Sequence, residues 1–282
     1  MEKLIRALYA RLLPQYVRNS LRAYLSLIHP DAHSQLVTAF PEQSVLVLAP
    51  HMDDEVLGCG GTILRHVQNG ARVTVAYVTD GRKGHGPFPK EWTGAEVKKA
   101  EDDLVLQRKE EARHAAQTLG IQRLVFWDYP DGSLRPAPDG IEKVRRLLHD
   151  VLPNLVYLPS LLDVHEDHWQ TNCLFSAAVS NFDERSSSTM SCRGYEVWSP
   201  VPANAYVDIT EFVEKKMEAM RHCESQLKEM DLIRPMISLN GYRSLRFLEG
   251  KGYAEAFFSC SLADYRRLFD QIQKETAAGR GV

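Results

Sequence analysis

The sequence predicts an α/β fold: a Rossmann-like open, mostly parallel sheet with helices on both faces, plus an N-terminal helical extension. Three observations predict it. Short, wholly apolar runs such as Val45–Ala49 and Leu155–Leu158, each stopped by a proline (Pro50, Pro159), are too brief for helices and suit strands buried on both faces. Such runs alternate with segments of helical periodicity, the pattern of parallel strands joined by right-handed crossovers. Clusters of histidine and acid stand directly after two of the strands, and the edge just past the strand carboxyl ends is where open α/β sheets bind ligands.

In order along the chain, residues 2–28 read as one or two amphipathic helices. Leu4, Leu8, Leu12 and Leu13 lie close to one face and Pro14 interrupts the pattern. A linker, His29 to Pro41, ends this extension (residues 1–40) and leads into the main domain, residues 41–282. Strands are expected at Val45–Ala49, Arg72–Val78, Leu124–Trp127 and Leu155–Leu158. Between them, helices are expected at Thr62–Asn69, about Glu96–Leu119 and Ile141–Leu152, with Gly58-Cys59-Gly60-Gly61 forming a glycine-rich turn before the first. A helix at about His168–Asn181 runs into a polar loop at 183–189. Short strands follow at Tyr195–Trp198 and Tyr206–Ile209. Thr210 is a plausible N-cap for a helix reaching about Gln226, Arg243–Leu248 and Leu262–Gln273 look helical, and Ala277–Val282 should fray. The glycine- and proline-bearing stretch Thr79–Glu96 follows a strand end and should wall the same site.

Composition narrows the function classes. A net charge of −3 makes the molecule no general electrostatic trap for nucleic acid. The five cysteines are scattered without a Cys-x-x-Cys pair, so neither a disulfide framework nor a cysteine metal site is indicated. No apolar run reaches the roughly 18 residues of a membrane span, and Arg6 and Arg11 break what would be a signal-peptide core. A cytoplasmic protein is expected. Lys3, Arg6, Arg11, Arg18 and Arg22 face the single acid Glu2 in the extension. Such a helix could lie against an anionic membrane or glycolipid on the inner face, or pack its apolar side on the domain.

The first cluster is Pro50-His51-Met52-Asp53-Asp54-Glu55. Acids in a first helical turn are often mere partners of the helix dipole. A His and an Asp three apart can also converge on a divalent metal, leaving Asp53 free to move a proton. The second cluster, Asp163-Val164-His165-Glu166-Asp167-His168, favours the metal reading, because two imidazoles with flanking carboxylates are hard to explain by packing. Ligands drawn from His51, Asp54 and one of His165 or His168 would leave a position open for water, the plan of a catalytic zinc site.

Together, Pro50–Glu55 and His165–His168 resemble the signature of the LmbE-like/PIG-L family of zinc-dependent N-acetylglucosaminyl deacetylases. Gly58–Gly61, Arg108-Lys109-Glu110-Glu111-Ala112, Trp127–Gly132, and His222 with Ser225-Gln226 extend the likeness from about Val45 to Gln226. Met52 and Glu166 depart from it, standing where proline is common. The resemblance implies that His51, Asp54 and His168 hold Zn2+ (another divalent transition metal would also suit), that Asp53 is the base, and that His165 stabilises the oxyanion. Asp167 would then fix the His165 tautomer, and Asp131, Arg82, Arg108 and His222 are candidates to bind an N-acetylated sugar or glycoconjugate. Rival readings are a zinc hydrolase of another amide, such as an acylated thiol conjugate or glycopeptide, a metal-binding scaffold without turnover, and a nucleotide-binding enzyme. The last is disfavoured because Ile63 stands where a dinucleotide loop needs its third glycine.

Overall fold

The computed structural model describes residues 34–181 and 190–279. The expected N-terminal helices and the 183–189 loop lie outside the described residues. An eight-stranded sheet has the order β1-β7-β8-β6-β5-β2-β3-β4. The strands are β1 (Gln35–Leu36), β2 (Ser44–Ala49), β3 (Arg72–Thr79), β4 (Arg123–Tyr129), β5 (Leu155–Pro159), β6 (Ser191–Tyr195), β7 (Ala205–Asp208) and β8 (Ala254–Ser261). All pairings are parallel except those of β8, which runs antiparallel to both β6 and β7.

The helices are α1 (Asp54–Gln68), α2 (Gly94–Leu119), α3 (Pro138–Val151), α4 (Glu166–Val179), α5 (Val213–Arg221), α6 (Glu224–Glu229), α7 (Ile233–Leu248) and α8 (Leu262–Gly279). Every residue of β2 is buried, because side chains alternate between two cores. Val45, Val47 and Ala49 pack with Val56 and Ile63 of α1, Ala112 and Ala115 of α2, and Met220 of α5. Leu46 and Leu48 pack with Val144 of α3, Leu174 and Phe175 of α4, and Tyr265 of α8.

Five expectations change. The glycine run is not a turn: α1 begins at Asp54 and passes through it, with non-helical angles only at Cys59 (φ −148°, ψ 19°). A methyl group on Gly58 would overlap the Tyr195 ring, and one on Gly61 would come within 2.6 Å of Ile209, so these glycines serve close packing. The kink frees backbone donors, and Glu255 of β8 accepts from Gly61 N (2.9 Å) and Thr62 N (2.7 Å) while pairing at 2.6 Å with the buried Lys216 of α5. The single helix expected from Thr210 is instead a 3-10 turn (Thr210–Phe212), α5 and α6. Finally, the linker carries β1, the stretch expected to pair at Tyr195–Trp198 instead pairs at Ser191–Tyr195, and β8 has no counterpart in the sequence reading.

Candidate active site

β2 lies between β3 and β5, so the chain leaves it in one direction and returns to its other side. This switch of direction opens a crevice at the strand carboxyl ends. Residues 51–54 enter it from β2, 80–86 from β3, 131–134 from β4 and 163–168 from β5. A cavity of about 520 Å³ there is lined by His51, Asp53, Asp54, Arg108, Asp131 and His165, among others.

Asp54 is the meeting point. Its Oδ2 accepts the backbone N–H of His51 at 2.8 Å and lies 3.3 Å from both His51 Nδ1 and His168 Nε2. Burial opposes its ionisation, yet the His168 and His51 rings hold its carboxyl well below the usual range. Burial likewise works against charge on His168, but Asp54 and Asp163 raise it to about 9. His51 is also raised despite burial, by Asp131, Asp167 and Asp54. His165 differs: half-burial and its two histidine neighbours lower it.

Asp53 is the N-cap of α1 in a backbone region that side chains rarely adopt (φ 144°, ψ −24°). Glu55 Oε2 accepts its N–H at 3.2 Å, and Glu55 Oε1 accepts from the Tyr77 hydroxyl at 2.7 Å. Burial pushes Glu55 up to about 8. It also pushes Asp53 up to about 6, against the pull of Arg108. Arg108 reaches Asp53 Oδ2 at 3.3 Å and donates to Gly81 O and Met52 O at 2.9 Å each.

Two donor groups have ligand atoms within 4.8 Å of one another: His51, His165 and His168, and His51, Asp131 and Asp167. Both His168 ring nitrogens are buried without a hydrogen bond of acceptable geometry, although carboxylate oxygens stand 3.3 and 3.4 Å away. Buried imidazoles and carboxylates facing one another in this way suit a shared cation.

Residues 46–179 match the family model described as GlcNAc-PI de-N-acetylase, PIG-L. This central part of the chain resembles the PIG-L/LmbE-like family. It is 29% identical over 202 residues, 66% of this chain and 71% of the relative, to a diacetylchitobiose deacetylase of Thermococcus kodakarensis. It is 31% identical over 144 residues to the 4-oxalmesaconate hydratase of Pseudomonas putida, covering 51% of this chain and 54% of that one. The N,N'-diacetylchitobiose deacetylase of Pyrococcus horikoshii, complexed with its inhibitor MPG, shares the fold. It matches with a TM-score of 0.66 at 24% identity, over 86% of this chain and 94% of that one.

The Asp167 carboxylate is turned away from the expected partner His165. It accepts from Gly132 N (2.7 Å) and Leu134 N (3.3 Å) and lies 3.4 Å from His51 Nε2. The backbone N–H of Asp167 donates to His165 Nδ1 at 3.2 Å, because His165 is the N-cap of α4. In the neutral ring this leaves the proton on Nε2. Asp131 reaches His51 Nε2 at 3.2 Å and accepts from Lys83 N at 3.1 Å. Arg82 pairs with Asp80, Glu101 and Asp102. His222 ends α5 and meets Thr118 Oγ1 at 3.1 Å; neither Arg82 nor His222 is among the residues lining the cavity. Asp163 (3.4 Å from His168 Nδ1) and Glu55 were given no role from sequence. Their signal was position alone, inside the two motifs.

Proposed function

We propose that this chain is a metal-dependent amidohydrolase of the PIG-L/LmbE-like family. It removes the acetyl group from an N-acetylglucosamine-type sugar or glycoconjugate, giving acetate and a free amine. The observation that carries the reading is the convergence of His51 and the fully buried His168 on Asp54, with His51, Asp53, Asp54 and His165 lining one cavity. His51, Asp54 and His168 would hold the ion. Zinc is the expected metal, and another divalent transition metal suits the same nitrogen and oxygen donors. Such an ion supplies Lewis acidity to a substrate carbonyl and to the attacking water.

The chain's own groups supply the rest. Asp53, raised towards neutrality by burial and held in place by Arg108 and Glu55, takes the proton from the attacking water. His165, bearing its proton on Nε2, donates to the oxygen on which negative charge develops. Asp167 and Asp131 fix the His51 ring. A proton returned by Asp53 or His165 releases the amine. Asp131, His85 and Lys83 line the cavity and offer polar groups to sugar hydroxyls.

Zinc-loaded protein is expected to release acetate from a panel of N-acetylglucosaminides. Asp53→Asn should keep fold and bound metal but lose about 10²- to 10⁴-fold in kcat. No acetate from any N-acetylated sugar, or full activity in the variant, would overturn the reading. Consumption of an unsaturated acid by hydration would place the chain with its hydratase relative instead.

A further inference from the structure

A second cavity, of about 420 Å³, lies beside the first. Both are lined by Leu57, Trp198, Met230 and Leu232, so the two are adjoining chambers that meet at these side chains. They differ in the side chains they add to the shared apolar ones. The catalytic chamber adds ionisable groups such as Asp53, Asp54, Lys83, Arg108 and Asp131, whereas the annex adds Val197, Pro200, Pro235, Met236, Leu239 and Ala256. The two polar side chains that border the annex are already engaged: Glu196 pairs with Arg243 and accepts from Val201 N, and Asn240 accepts from Lys216. Trp198 and Met230, 49% and 51% exposed, stand where the chambers join. Large apolar side chains exposed around a cavity of this size mark a surface that a ligand covers.

We propose that the annex binds an apolar chain of the substrate, so that the enzyme acts on an amphiphilic glycoconjugate whose polar sugar occupies the catalytic chamber and whose alkyl group lies along Trp198, Met236 and Leu239. The identity of the sugar rests on the deacetylase reading; the annex and its chemistry do not. The alkyl group can belong to the aglycone or to the N-acyl substituent, and two ligand series tell these apart.

The metal-loaded full chain is titrated calorimetrically with methyl, butyl and hexyl N-acetylglucosaminides, and separately with N-acetyl-, N-butanoyl- and N-hexanoylglucosamine. In one series the Kd should tighten by roughly three- to four-fold per methylene buried. Leu239→Gln should flatten that series while leaving the Kd of its shortest member unchanged, which also shows that the fold is intact. Leu239→Trp, which fills the annex without making it polar, should weaken only the longest members. Two flat series would leave the groove to the chain's own residues 1–33 or to a second copy and overturn the inference, as would length dependence that neither variant alters. Length-dependent binding without acetate release would refute the deacetylase reading and leave the amphiphile site standing.

Discussion

At the scale of the residue, the site depends on groups that touch no substrate. Asp163 faces His168 Nδ1 at 3.4 Å, while its Oδ1 accepts the His165 N–H at 3.0 Å and its Oδ2 the Trp198 N–H at 3.1 Å. One carboxylate therefore orients the proposed ligand His168 and ties both clefts to the same loop. Asp163→Asn should leave the fold unchanged and weaken Zn2+ binding by about 10- to 100-fold, read by competition with a chromogenic chelator. Unchanged affinity would show that His168 is oriented by packing alone. Asp53 illustrates what sequence could and could not convey. Its place between His51 and Asp54 suggested a base, but its unusual backbone angle, and the Glu55 carboxyl that accepts both its N–H and the Tyr77 hydroxyl, belong to the folded arrangement alone.

At the scale of the element, α1 shows how a residue type can be noticed for the wrong reason. Gly58, Gly60 and Gly61 suggested a turn, since glycine is common there. The structure uses Gly58 and Gly61 to bring a helix close to Tyr195 and Ile209, which belong to the far half of the chain. The kink at Cys59 is tolerated because Glu255 receives the freed N–H groups and Lys216 balances its charge. Gly58→Ala and Gly61→Ala should each lower stability by about 1–3 kcal/mol through overpacking, measured by urea unfolding. Gly70→Ala makes an informative contrast: no atom crowds a methyl there, but its φ of 82° gives backbone strain without a clash. If Gly58→Ala and Gly61→Ala unfold like the parent, close approach is not what the glycines provide.

At the scale of the whole molecule, stability against acid should carry a signature from the opposite end of the sheet. His66 is fully enclosed, with Nε2 at 2.9 Å from the Tyr157 hydroxyl, which accepts from Arg193 at 2.9 Å. Tyr157 can then donate to His66 only while that ring is neutral. Burial, helped by Arg193, lowers His66 to about 3, although Glu42 lies 3.8 Å from its other nitrogen. The unfolded chain thus binds this proton more readily than the folded one between about pH 6.5 and pH 3. His66 therefore removes stability as pH falls through that window and contributes no slope above it. Relative to the parent, His66→Gln should show a shallower loss of unfolding free energy, by up to about 1.4 kcal/mol per pH unit. Parallel curves would rule this out. The same scale accounts for the strands that sequence reading missed. β8 mixes Glu255 and Ser259 with alanine and phenylalanine, because its inward charge is matched by a lysine on another element.

The sequence by itself determined the class of fold, the positions of the four strands that frame the crevice, and the two motifs that supply the donors. It could do so because burial on both faces imposes continuous apolar runs, and because histidine and acid crowded past a strand end have few structural uses. Only the tertiary structure decided that β2 and β5 are neighbours, and hence that Asp54 meets both His51 and His168. It alone turned Asp167 towards His51 and set a second, apolar-walled cavity beside the first. These facts depend on contacts between residues distant in the chain, whose pairing is set by the strand order of the sheet and leaves no local pattern to read.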